Sequence, residues 1–420
     1  MAERTAVSPK LRLIIVTQWF PPEPAPFGVM MREMASFFAA AGWEVEVITG
    51  FPNHPEGVLH AGYSRAWHRR FSDGGFAVDR VWLSISAKRN LSGRALTFLS
   101  FTVTSAIRLL RNRRADVVFA VLQPLSQGLL LPALCRLKGS RLVFNVQDLH
   151  PETQIRLGLI KNRWLIRLLE SVERFSYRMC DHVTAISAPF VGHVISKGVP
   201  PERATCIENW IDCERITPLD RSASLRSAMG LGDTEFVILW AGTIGAVSGI
   251  ETLISAASEL QHLNDVRFLV VGDGVKRPSA EAMVRERGLR NIMFRGFFPE
   301  AQLSALFASA DIAVVTLAQG FGDTSVPSKI LAYMAAGRPV VAAAPAGSET
   351  AREVTASRAG IVVPPADGRA MSEAIRRLMD DGVARGRMGD DARARVSAHW
   401  NRAAVLSRYL RLFNSMVGEA

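Results

Sequence analysis

Short apolar runs recur along the whole chain. Most of them end in a turn of glycine, proline or polar residues and lead into a helical pattern. Leu11–Thr17, Val45–Thr49, Asp116–Val121, Arg141–Val146, Asp181–Ile186 and Ala204–Ile207 form a first series. Phe236–Trp240, Arg267–Val271, Ile292–Arg295, Asp311–Leu317, Val340–Ala344 and Gly360–Val363 form a second. A run without polar alternation is a strand covered on both faces, and strands that alternate with helices build parallel sheets. The pattern predicts an α/β chain of two doubly wound, Rossmann-like domains, with a cleft between their facing carboxyl edges. The polar, irregular section Cys213–Asp233 separates the two series. It sets a first domain at 1–212 and a second at 213–400, with a basic helix over Arg402–Met416 in the closing segment 401–420. A chain of 420 residues is long enough for both cores.

The formal net charge of +11 is concentrated in the first half. Residues 1–210 hold 26 Lys and Arg against 16 Asp and Glu, whereas residues 211–420 hold 24 against 23. Such an excess attracts anionic lipid headgroups or phosphorylated substrates. Nucleic acid is not expected as a partner, because no zinc finger, RNA-binding signature or basic helix-turn-helix is present. Between Trp67 and Arg114, bulky apolar residues stand beside cations. Trp67, Arg69, Arg70 and Phe71 are followed by Lys88, Arg89 and Arg94, then by the mostly apolar helical run Leu96–Leu110 and by Arg111, Arg113 and Arg114. This mixture suits an interfacial contact with an anionic membrane and is too interrupted to span one. Met1–Lys10 is polar and shows no signal-peptide pattern, and Cys135, Cys180, Cys206 and Cys213 are scattered without metal-ligand spacing. A cytoplasmic protein with reduced thiols, peripheral on the inner face of the cytoplasmic membrane, is the expectation.

In open α/β sheets, ligands bind outside the carboxyl ends of the strands. After Leu11–Thr17 comes a proline-rich loop without the dinucleotide fingerprint, and Gly28 opens a helical pattern there, where a ligand can approach the backbone. After Val45–Thr49, the stiff loop Gly50–Gly57 presents Asn53 and His54. After Arg141–Val146, Gln147, Asp148, His150 and Glu152 leave one strand end together around Pro151; a capped turn explains them less well than chemistry does. The stretch Gly320–Ala342 is a strand–loop–helix–strand unit in which Ser328 and Lys329 sit at a helix start, an arrangement that suits a phosphate. An ordinary crossover with a capped helix fits those residues equally well by themselves.

Seven motifs, in order, resemble the GT4-type retaining glycosyltransferases with the GT-B fold, in the bacterial branch that builds exopolysaccharide, colanic acid or O-antigen. They are Trp19-Phe20-Pro21-Pro22-Glu23, Gly50-Phe51-Pro52-Asn53-His54-Pro55, Val146-Gln147-Asp148-Leu149-His150-Pro151-Glu152, Glu208-Asn209-Trp210-Ile211-Asp212, Ala241-Gly242-Thr243-Ile244-Gly245, Gly272-Asp273-Gly274, and Val326-Pro327-Ser328-Lys329 through to Val340. The resemblance implies a nucleotide-diphosphate sugar donor held by the second domain, an acceptor on the first, and a last helix that packs back on the first domain. It implies no metal and no cofactor. It places the ribose, diphosphate and donor sugar along the stretch that holds Asp323, Thr324, Ser325, Ser328 and Lys329, with Gly242–Gly249, including Thr243 and Gly245, bordering the diphosphate, Phe297 and Phe298 bordering the base, and Gly272 among the donor contacts.

Departures from the family pattern matter as much. Two glutamates eight residues apart are usual, and here Thr324 and Ala332 stand in their places. Asp323 can replace the first. Thr243 and Ser248 stand where an arginine and a lysine are common, which leaves Lys329 as the main cation and Arg338 as a lesser one. Gln147 stands where many relatives carry histidine, so Asp148 or His150 takes over its contact with the donor sugar. The resulting reading is transfer of a sugar to a lipid-linked or growing glycan acceptor, with retention. A non-catalytic subunit of a polysaccharide assembly, or an epimerase of the same architecture, is the alternative.

Overall fold

The computed structural model describes residues 10–23, 25–54, 57–85, 91–321 and 329–418. The chain divides into two compact units, one of residues 1–207 with 406–420 and one of residues 208–405.

The first unit is built on an eight-stranded sheet. Its strands are β1 (Arg12–Val16), β2 (Glu44–Gly50), β3 (His68–Asp73), β4 (Phe76–Val81), β5 (Val117–Val121), β6 (Arg141–Val146), β7 (His182–Ala185) and β8 (Ala204–Cys206), in the order β3-β4-β2-β1-β5-β6-β7-β8. All neighbours are parallel except β3 and β4. The central strands β1 and β5 are buried at every position, because helices cover both faces. The strand order reverses between β1 and β5, which makes the carboxyl ends around β1, β5 and β6 a switch point.

The β3–β4 hairpin lies within the stretch Trp67–Arg114. Gly74 and Gly75 both have positive φ (57° and 98°), the conformation a two-residue hairpin turn demands. Around the hairpin, cations meet the buried carboxylates of Asp79 and Glu46 and the exposed one of Glu44. Arg108 reaches Asp79 at 2.7 Å, Arg70 and Arg12 reach Glu46 at 3.4 and 2.8 Å, and Arg113 reaches Glu44 at 3.2 Å. Burial first, and the neighbouring Asp79 second, push the Glu46 carboxyl up to about 7. Arg70 and Arg108, two cations of that stretch, thus pair with buried carboxylates. Lys88 and Arg89 lie outside the described residues.

The second unit has a six-stranded, wholly parallel sheet. Its strands are β9 (Phe236–Ala241), β10 (Val266–Val271), β11 (Ile292–Arg295), β12 (Ile312–Thr316), β13 (Val340–Ala343) and β14 (Gly360–Val363), in the order β11-β10-β9-β12-β13-β14. Two apolar clusters flank this sheet, one around Tyr333 and Leu306, the other around Trp240 and Phe268. The order reverses between β9 and β12, so the second switch point lies at the ends of β9, β10 and β12.

The closing helix spans Arg402–Val417, and from Leu406 onward it belongs to the first unit. Phe413 is fully buried there, stacked on Phe38 at 5.2 Å and tilted against Phe119 at 5.9 Å. Tyr409 accepts a hydrogen bond from Asn145 Nδ2 at 3.1 Å, which joins the helix to β6. Phe413→Ala removes a fully buried ring and is expected to cost about 3–5 kcal/mol. Chemical denaturation followed by tryptophan fluorescence measures the loss.

Candidate active site

In the first unit, the loops at the carboxyl edge are fastened by Glu23. Its buried carboxylate accepts the backbone N–H groups of Phe20 at 3.2 Å and of Asn53 and His54 at 3.0 Å each. Burial raises its pKa, and these three bonds and nearby Arg80 oppose the rise. Glu23 therefore ties the loop after β1 to the loop after β2. The sequence motif contained Glu23, but nothing in the pattern marked it as the fastener. The Asn53 side chain turns back to Phe51 O at 2.9 Å, and the His54 ring lies 5.4 Å from the Trp19 ring. Gly28 lies inside the helix Pro26–Ala40, which starts two residues earlier than the sequence pattern suggests. A Cβ at Gly28 would come within 3.2 Å of the Phe20 backbone. Its small size thus serves loop packing.

At the end of β6, Gln147 donates to Asn145 Oδ1 at 2.7 Å, and Asn145 in turn donates to Thr184 and Tyr409. Gln147 is held by a network that reaches the closing helix. Asp148 is exposed. Desolvation by the surrounding protein raises its pKa, and His150 opposes this. His150 Nδ1 pairs with the Gln154 side chain at 3.0 Å, and its buried Nε2 meets no hydrogen-bond partner among the described residues.

In the second unit, three glycines let the loops after β9 and β10 pack backbone to backbone. A Cβ at Gly272 (φ +142°) would fall 1.9 Å from Gly242 O, and one at Gly274 would fall 2.5 Å from Ile244 O. Thr243 is exposed and Gly245 has open space at its Cβ position. Ser248 is buried and donates to Gly245 O at 2.8 Å, so it faces inward and does not replace a diphosphate cation. Arg338 spends its guanidinium on Ala336 O and on Ala310 O, just before β12, at the amino edge of the sheet. That removes it from the candidate site.

Lys329 starts the seven-residue helix Lys329–Ala335. Its Nζ lies 3.5 Å from the centroid of the buried Trp240 ring, and a Cβ on Gly242 would lie 3.6 Å from Nζ. No carboxylate among the described residues pairs with it. Desolvation lowers its pKa to about 7. Tyr333, one turn on, is fully buried; its hydroxyl accepts from Ala241 N at 2.7 Å and donates to Ala241 O at 3.2 Å. This bond pair fixes the short helix to the end of β9 and thereby sets where Lys329 stands. Phe297 is exposed, whereas Phe298 packs on the core. Asp323, Thr324, Ser325 and Ser328 lie outside the described residues.

Glu349 is a second carboxylate the sequence reading passed over. It begins the helix Glu349–Ala356, capped by Ser348, next to the end of β13. Burial raises its pKa and nearby Glu208 adds to this, while Arg352 opposes. Glu349 and Glu208 come together only in the folded unit. Among the described residues, no group of three or more His, Cys, Asp or Glu is arranged to hold a metal ion, and no helix is long and apolar enough to cross a membrane.

The family model described as "Glycosyl transferase 4-like domain" matches residues 27–210, and the one described as "Glycosyl transferases group 1" matches residues 235–381. The putative colanic acid biosynthesis glycosyl transferase WcaI of Escherichia coli K12 is 30% identical over 347 residues, 81% of this chain and 84% of that protein. The chain belongs to the GT4-like glycosyltransferases. Its fold matches sucrose-phosphate synthase from Thermosynechococcus elongatus with a TM-score of 0.78 at 18% identity, over 98% of this chain and all of the other. It also matches Anabaena HepE in complex with UDP-glucose, with a TM-score of 0.70 at 16% identity, over 96% of this chain and all of the other. Both likenesses establish the GT-B architecture for this glycosyltransferase.

Gly272→Ala places a methyl group on a carbonyl oxygen at a φ that side chains avoid. It is expected to cost this glycosyltransferase roughly 3 kcal/mol, read as a lower midpoint in urea unfolding.

Proposed function

We propose that this glycosyltransferase moves a sugar from a nucleotide-diphosphate donor to a lipid-linked or growing glycan acceptor in cell-surface polysaccharide synthesis, with retention. The observation that carries the donor half is Lys329: a cation without a carboxylate partner among the described residues, at the switch point of the second sheet, beside glycines that leave backbone open. A diphosphate supplies the missing counter-charge. Anabaena HepE, of the same fold, is described in complex with UDP-glucose. The polysaccharide assignment draws on the relative from Escherichia coli, named for colanic acid biosynthesis.

In this reading the second unit holds the donor and the first receives the acceptor. The bond between the sugar's anomeric carbon and the phosphate oxygen breaks, and the acceptor oxygen bonds that carbon from the same face. The acceptor's proton passes to the leaving diphosphate, so neither a carboxylate nucleophile nor a cofactor is called for. The protein contributes charge stabilisation of the leaving group through Lys329 and, in the same reading, donor-sugar contacts from Asp148 and His150. In the same reading Thr243 and Gly245 border the diphosphate and Phe297 the base, and Ser325 and Ser328, outside the described residues, are expected to add donor contacts.

The test uses pure protein, a panel of nucleotide sugars and a membrane lipid extract. Label in the lipid phase supports the proposal. Isomerised donor without transfer marks an epimerase, and donor binding without either product marks a non-catalytic subunit.

Two further outcomes are expected. Lys329→Ala is expected to weaken donor binding by about a hundredfold, and unchanged affinity in calorimetry sinks the assignment. The pH sign follows from a lysine whose pKa is lowered: its charge is present below about 7 and is lost as pH rises past it. Affinity for the nucleoside diphosphate therefore falls from pH 6 to pH 9, and binding takes up protons near pH 8. Lys329→Arg, which stays charged, flattens that dependence.

A further inference from the structure

The exposed apolar side chains of the protein are unevenly distributed. Of the large ones that are exposed among the described residues, fifteen belong to the first unit and three to the second. Eleven of the fifteen lie on three helices, Leu91–Arg111, Gln127–Lys138 and Arg163–Met179. The middle helix packs against both of the others, so the three lie side by side in one layer.

Each helix exposes its apolar residues as a stripe. On Leu91–Arg111, Leu96, Leu99, Val103 and Leu110 are all exposed and fall within about 60° of one another at 100° per residue. On Gln127–Lys138, Leu129, Leu130 and Leu137 fall within about 100°. The third helix has the most amphipathic exposed surface. Trp164, Leu168 and Phe175 are 78%, 59% and 44% exposed and share an arc of about 40°. Arg163, Arg167, Arg174 and Arg178 line an adjoining arc of about 60°, and the Arg167 guanidinium lies 5.4 Å from the Trp164 ring. Its inner side is fixed by buried Glu173, which pairs with His193 at 2.8 Å and Lys197 at 2.9 Å.

The charge of this layer selects its partner. The fifty residues of the three helices hold nine Lys and Arg, of which Arg108 is taken by Asp79, and two Asp and Glu, of which Glu173 is buried. A surface that is apolar along its ridges and cationic between them matches the headgroup region of an anionic bilayer. Rings and leucines enter the acyl boundary there, and arginines reach the phosphates. A second copy of the chain fits worse, because it brings the same arginines against this face. We propose that the layer formed by these three helices is a docking surface for an anionic lipid bilayer, with Arg163–Met179 as its main contact. This deepens the lipid-linked acceptor reading above: it keeps the protein on the surface that carries such an acceptor.

The test is flotation of the full-length protein with vesicles of phosphatidylethanolamine and phosphatidylglycerol, and with phosphatidylcholine vesicles alone. The wild type is expected to float with the anionic vesicles, less so as salt rises. Leu168→Glu/Phe175→Glu and Arg167→Glu/Arg174→Glu are each expected to lower partitioning by about tenfold or more, with circular dichroism and melting unchanged. Should a charged variant misfold, quenching by brominated lipid provides the same reading, because Trp164→Phe is expected to remove part of the quenched tryptophan signal. Equal partitioning by wild type and variants overturns the proposal. So does a wild-type dimer in sedimentation velocity that the Leu168→Glu/Phe175→Glu pair converts to monomer without vesicle binding by either. Transfer to a detergent-solubilised lipid extract separates the two ideas. Vesicle binding without transfer leaves the docking surface standing and removes the lipid-acceptor reading, and transfer without vesicle binding does the reverse.

Discussion

One buried hydroxyl organises the switch point of the second sheet in this glycosyltransferase. Tyr333 satisfies both the N–H and the C=O of Ala241, the last residue of β9, beyond the last register pair of β9 with β12. Unpaired backbone groups inside a protein cost free energy, so this pairing is strongly specified. It holds a helix of seven residues, too short to be stable alone, against the switch point of the sheet. Lys329 inherits its position from that contact. The ammonium then rests on the Trp240 face, where cation–π attraction partly replaces lost water and desolvation still lowers the pKa. A cation in that condition gains more from an incoming diphosphate than a solvated lysine does.

The first unit solves a similar problem with carboxylates and amides. Glu23 gathers three N–H groups from two loops. Asn145 passes the position of Gln147 to Tyr409 on the closing helix. Because Phe413 anchors the same helix among Phe38, Phe119 and Tyr409, the loop after β6 rests on packing formed more than 250 residues later in the chain. Side chains at this edge are therefore set by long-range contacts, while the motif residues supply only the chemistry.

Much of the strand pattern was legible in the sequence, since runs buried on both faces have no polar alternation to confuse. Arg141–Val146, Ile292–Arg295 and Gly360–Val363 coincide with their strands to the residue. The β3–β4 hairpin was not legible, because its outer strand is polar and exposed, and its cations resemble a surface cluster until Asp79 and Glu46 are placed beneath them. Arg338 was misplaced for a related reason: its distance from Lys329 along the chain is short, yet the helix between them carries it to the opposite edge. Ser248 occupied the right loop but faced inward.

The sequence by itself determined the α/β class, the two series of strands, the glycines at strand ends and the family, because these depend on local periodicity and on motifs in order. Tertiary structure decided which groups face a ligand and which are used up inside. Tyr333, Glu23 and Glu349 acquire their roles from partners far away in the chain. The three-helix layer makes the same point: an apolar stripe on a helix reads as core, and only the packing shows that Trp164, Leu168 and Phe175 point outward. Burial is a property of the assembled layers, and a one-dimensional pattern records the stripe without recording which side the sheet takes.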